Sequence, residues 1–154
     1  MDTLAHTDTL TASSLYDIDF YQWALRNADL LRQGRLTEID IENVAEELEG
    51  MARRDKRELA SRLLVLIMHL LKWQYQPKRR CRSWRATMSN QRKDIKRLLA
   101  DNPSLRHNIE AVIDEEFIEA KLSFEDETGI SAKELPETCP YTFGQIMDRG
   151  FRPE

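Results

Sequence analysis

His69 is the one polar residue among eight apolar ones between Leu63 and Leu71. A histidine so placed could ligate a metal or act as a general base, given carboxylates or further histidines on facing helices. The di-iron bundle signature puts a Glu three residues before the His, and here that position is Leu66. His107 is followed by Glu110, the reverse order, and His6 lies near the N-terminus. Without matching spacing, the preferred reading is a buried neutral imidazole bonded to a backbone carbonyl or to an acid of the first helix. Glu42, Glu46 and Glu49 recur at i, i+4 and i+7 and could pair for acid–base work. An exposed helix face gives the same pattern, and Arg53 and Arg57 continue the line to supply ion pairs. Ser61, Ser83 and Ser89 lack the Gly-x-Ser-x-Gly context of an activated nucleophile. No glycine-rich phosphate loop is present. Cys81 and Cys139 have no Cys-x-x-Cys partner, so the spacing supports neither a disulfide framework, nor a structural zinc site, nor a redox pair of that type.

The stretch from Lys72 to Arg97 carries a different chemistry. It holds ten bases (Lys72, Lys78, Arg79, Arg80, Arg82, Arg85, Arg92, Lys93, Lys96, Arg97) against Asp94 alone, with Trp73, Tyr75 and Trp84 among the first six. Arginines interleaved with aromatics suit phosphate contact and base stacking. Arg79, Arg80, Arg82, Arg85, Arg92 and Lys96 are the candidate contacts for an anion or a nucleic acid, and His69, Trp73 and Arg85 the candidate lining of a pocket. Against this, the net charge is −4 and the pI about 5.5, whereas nucleic-acid binders are commonly basic. The charge is segregated: residues 1–50 carry −8, residues 51–100 carry +12 and residues 101–154 carry −8. Acidic helices packed beside a basic middle account for this pattern without an external partner.

These residues need elements to hold them. Five Gly and five Pro in 154 residues imply long regular segments. Asp17 or Asp19 can cap a first helix bearing Phe20, Trp23, Ala24, Leu30 and Leu31, with Gly34 beyond its end. Asp40 can cap the second. From it, Ile41, Val44, Ala45, Leu48, Met51, Ala52, Leu59, Leu63, Leu66, Ile67 and Leu70 keep a helical period. Unbroken to Gln76, this helix has 36 residues and runs roughly 54 Å, long enough to overhang a compact domain with a radius of gyration of about 15 Å. Gly50 is the weak point at which it could bend, but the stripe keeps phase across it, which favours continuity. The apolar run stops at Lys72, short of the roughly 20 residues a bilayer span needs, so it is read as the core helix of a soluble protein. Pro77 ends it.

A third helix is expected over Ser83–Leu99, with Trp84, Met88, Ile95, Leu98 and Leu99 apolar. A fourth is expected from Leu105 to about Thr128, capped by Ser104 and closed by Gly129, burying Ile109, Val112, Ile113, Phe117, Ala120, Leu122 and Phe124. Ser131 to Glu134 fits a capping box. The C-terminal segment reads as mostly irregular, with one short helix from Phe143 to Met147. Nothing alternates with period 2 long enough for a strand. The three tryptophans are read as core or interface anchors.

The strings YDIDFYQWALRNADLLRQGRLTEIDIENVAEELEGM, HLLKWQYQP, SWRATMSNQR, LLADNPSL and ETCPYTFGQI occur here in order. Together they resemble a large family of uncharacterised bacterial proteins, frequent in cyanobacteria and proteobacteria and known as domain of unknown function twenty-nine. The resemblance covers about residues 15–154 and implies a helical bacterial protein. It brings no activity, cofactor or catalytic residue.

The sequence therefore predicts a flexible tail over residues 1–14 and a single all-α domain over 15–154. Four main helices form an up-down bundle around Leu63–Leu71, the second one long, with a mostly irregular C-terminal strap. The function read from it is a cytoplasmic, non-enzymatic interaction or regulatory module, with a protein partner or self-association (a homo-oligomer) at the overhanging second helix and no membrane. A nucleic-acid binder using the basic segment 78–97 is the alternative. An enzyme centred on His69 and the helix carboxylates comes third. No catalytic, cofactor or metal residue is assigned.

Overall fold

The computed structural model describes residues 12–154. Residues 1–11 of the expected tail lie outside the described residues, and residues 12–14 already belong to helix α1, Ala12–Ile18. The other helices are α2 (Phe20–Arg32), α3 (Ile41–Tyr75), α4 (Arg82–Asp101), α5 (Ile109–Thr128) and α6 (Phe143–Met147), linked by short 3-10 turns. No strand occurs among the described residues, and the fold is an all-α bundle.

Sequence signals explain most ends. The Asp19 carboxylate accepts from the Gln22 amide at 3.0 Å and starts α2. Gly34 follows its end at φ +69, in the left-handed region that favours glycine. Gly129 closes α5 at φ +74. In α6, Thr142 and Gln145 form a reciprocal capping box, whereas the box expected at Ser131–Glu134 is not formed: the Ser131 hydroxyl accepts from the Lys133 amide instead. α3 runs unbroken through Gly50 for 35 residues.

Two expectations are corrected. The fourth helix does not start at Leu105, because Pro103–Arg106 take a 3-10 turn and α5 starts at Ile109 behind Asn108. Asn102, held near φ −132 before Pro103, is part of that break. Leu122 is 49% exposed rather than buried. It sits two residues, more than half a turn, from both Ala120 and Phe124, which face the core.

The chain divides into two compact units, one up to Arg53 and one from Arg54. In the second, Leu59, Leu63, Leu66, Ile67, Leu70 and Leu71 of α3 share one core with Met88 and Ile95 of α4 and Ile113, Phe117, Ala120 and Phe124 of α5. Leu135, Tyr141 and Ile146 of the C-terminal segment complete it. That segment is pinned by polar bonds as well. The Tyr141 hydroxyl donates to Gln74 at 2.6 Å, and the Lys121 ammonium donates to the carbonyls of Pro136 and Glu137.

In the first unit, a closed ring of hydrogen bonds replaces a large core. Trp23 Nε1 donates to Asp40 at 2.9 Å, the Asp40 amide donates to Asn27 Oδ1 at 2.9 Å, and Asn27 Nδ2 donates to the Trp23 carbonyl at 2.9 Å. All three residues are buried. The Asp40 carboxylate also accepts from Asn43 Nδ2 at 2.8 Å, at the start of α3. The Tyr16 hydroxyl donates to Glu47, which raises the tyrosine pKa, and the Tyr16 ring stands edge-on to Trp23.

Candidate functional site

The helical period of α3 defines one stripe, Ile41, Ala45, Leu48, Ala52, Leu59, Leu63, Leu66 and Leu70, spaced by three and four residues or their sum. From Leu59 onward it is sealed: Leu59 is 1% exposed, and Leu63, Leu66 and Leu70 are 0% exposed. Before that point it is bare. Ile41 is 63% exposed, Leu48 61% and the neighbouring Met51 57%, with Ala45 and Ala52 also exposed. Half-buried Asn43, Val44, Glu47 and Gly50 lie on another side of the helix, where Asn43 and Glu47 are bonded to Asp40 and Tyr16. The bare stripe is therefore a second face of the helix.

Single exposed apolar residues are ordinary on a protein surface, but their distribution here is not even. Of the eleven large exposed apolar residues among those described, nine lie between Ile18 and Met51. On α2 the exposed Tyr21 and Leu25 lie away from the buried Trp23, Asn27 and Leu30, while Phe20 and Leu31 edge the buried face, the Phe20 ring 5.4 Å from that of Trp23. Phe20 and Leu31 were expected to join an apolar helix face. They do, at its exposed edge, while Trp23 and Leu30 of the same face are buried.

The basic segment is split between surface and structure. Arg79, Arg82, Arg85 and Lys96 are exposed. Arg80 Nε donates to the Trp73 carbonyl at 2.7 Å, and its guanidinium lies 5.1 Å from the Trp73 ring centre; Arg152 lies over the same ring at 5.6 Å. Arg92 is buried and holds the C-terminal segment through bonds to the carbonyls of Ile146 (2.7 Å), Arg149 (3.4 Å) and Phe151 (3.0 Å). Burial lowers its pKa, opposed by Asp148. Beside it, Lys93, Lys96 and Arg149 line an open cleft of about 410 Å³. No local pattern marks Arg149 as a member, because it comes from the irregular C-terminal segment.

His69 is half-buried, and its Nδ1–H donates to the Val65 carbonyl at 2.8 Å, as expected of a structural imidazole. Burial lowers its pKa, with Lys72 adding to the effect against the Val65 bond and Glu127. The expected neighbours are not brought to it by any polar contact. Trp73 meets Arg80 and Arg152, Trp84 meets Lys72, and Arg85 is exposed. The cleft beside Arg92 and another open cleft, about 480 Å³ beside Phe143 and Met147, are lined by none of His69, Trp73 and Arg85. Glu46 and Glu49 are exposed and paired to Arg53 at 2.8 and 3.7 Å. Among the described residues, no group of three or more His, Cys, Asp or Glu side chains could hold a metal ion. Cys139 is half-buried with its thiol pKa raised by burial, and Cys81 is exposed. No helix among the described residues is long and apolar enough to cross a membrane.

The molecule is thus an all-α protein whose longest helix has one half of its apolar stripe sealed and the other open. The model for the domain of unknown function DUF29 matches residues 15–152, and the chain belongs to that family. No curated protein and no solved structure matches it closely enough to count as a relative.

Proposed function

We propose that this protein is a non-enzymatic, cytoplasmic interaction or regulatory module whose docking face is the open half of α3. The observation that carries this reading is the continuity of the stripe: the same helix face that is 0–1% exposed from Leu59 onward is about 60% exposed at Ile41 and Leu48. An uncovered apolar face of this kind marks a surface for association. The test is polar substitution at Ile41 and Leu48. Each Gln variant keeps the chain's own folding stability within about 0.5 kcal/mol, while association of the full chain, followed by light scattering, is lost. A core-sized loss of stability in Leu48→Gln shows that the chain already covers this face and removes the reading.

A second reading, nucleic-acid binding, is favoured by the cleft at Lys93, Lys96 and Arg149 together with exposed Arg79, Arg82 and Arg85. It requires retention on a mixed nucleic-acid pool at low salt that falls steeply as salt rises. Retention indifferent to salt contradicts it.

A further inference from the structure

We infer that the open half of α3 is closed by the same half of a second copy of this chain, packed antiparallel. This rests on the reading of α3 as a docking face and names its occupant. The argument is charge. From Glu42 to Glu49, α3 carries Glu42, Glu46, Glu47 and Glu49 and no base; from Arg53 to Arg57 it carries Arg53, Arg54, Lys56 and Arg57 against Asp55. A helix segregated in this way is complementary to its own reverse. Parallel pairing sets Glu42 against Glu42 and Lys56 against Lys56 of the second copy, which repels. Antiparallel pairing about Leu48–Glu49 brings Glu42 beside Lys56 of the second copy, and two-fold symmetry makes that pair twice.

The charges already used within one chain agree with this register. Arg53 holds Glu46 and Glu49, and Glu47 receives the Tyr16 hydroxyl. Glu42 and Lys56 have no partner among the described residues. Asp55 and Arg57 are likewise without a partner; of these four charges, antiparallel pairing joins the acid Glu42 to the base Lys56. In the same register Leu48 lies at the axis, and Ala45 faces Ala52 of the second copy, small residues that let two helices approach closely. Ile41 meets the aliphatic stem of Lys56, whose ammonium still reaches water and Glu42.

The experiment is sedimentation equilibrium of the full chain at low salt. The expected mass moves with concentration between 18.1 kDa and twice that value. Glu42→Lys alone and Lys56→Glu alone each raise the dimer Kd by roughly tenfold, and the double variant Glu42→Lys/Lys56→Glu returns it to the starting value. Failure of the double variant to recover overturns the antiparallel arrangement. The mass of one chain at every concentration overturns the second copy as occupant, including the case in which an unrelated helical protein takes the face. The docking-face reading fails on a different result, a core-sized loss of stability in the Leu48→Gln monomer, so the two failures are distinguishable.

Discussion

Leu48 and Leu66 are the same residue type on the same stripe of the same helix, yet one is 61% exposed and the other 0%. Around Leu66, α4, α5 and the C-terminal segment contribute Ile95, Phe117, Phe124 and Ile146 to a sealed core. Around Leu48 the described residues supply no such shell, and most of the side chain is exposed. Periodicity reports which face of a helix is apolar; it does not report whether the chain itself supplies the cover. The half without cover is where this molecule has apolar surface left to offer a partner.

The contrast can be broken in graded steps. Leu66→Ala opens a cavity in the sealed half and costs about 3 kcal/mol of folding stability in urea melts; a loss below about 1 kcal/mol contradicts the sealed core. Arg92→Met releases three carbonyls of the C-terminal segment that closes this core. It costs about 2 kcal/mol, with faster amide exchange over residues 146–151 as the local sign. In the open half, Asn27→Ala breaks the Trp23–Asp40–Asn27 ring and leaves the Asp40 amide unpaired, again about 2 kcal/mol. Leu48→Gln, by contrast, changes monomer stability by less than about 0.5 kcal/mol.

The last step is a pH dependence at His69. Burial lowers its folded-state pKa below the ordinary 6.5, so the unfolded chain binds the proton more readily. The stability this contributes is complete above pH 6.5 and declines as pH falls from there through the lowered folded-state pKa. His69→Gln flattens that part of a stability–pH profile, and an unchanged slope contradicts the assignment.

Much of this was legible in the residues. Asp19 (one of the two caps the spacing offers, with Asp17), Gly34 and Gly129 act locally, so their spacing was enough to place helix ends; the Thr142–Gln145 box at the start of α6 was not read from the sequence. The uninterrupted phase from Ile41 to Leu70 correctly implied a helix continuous through Gly50. Leu122 was misread because a count of apolar residues in α5 ignores that it falls more than half a turn from Ala120 and Phe124. Arg92 looked like its exposed neighbours Lys93 and Lys96; its three carbonyl partners lie more than fifty residues away, beyond any local pattern. The Trp23–Asp40–Asn27 ring was equally hidden, since it joins two helices through side chains that each have an ordinary surface or capping role in isolation.

The most direct test of the central contrast is the thermal midpoint of the natural chain and of Leu48→Lys, each measured across a hundredfold range of protein concentration. Association of folded chains stabilises by mass action, so the midpoint of the natural chain rises with concentration while that of Leu48→Lys stays flat. Equal, flat midpoints for both chains would contradict closure of the open half of α3 by a second copy.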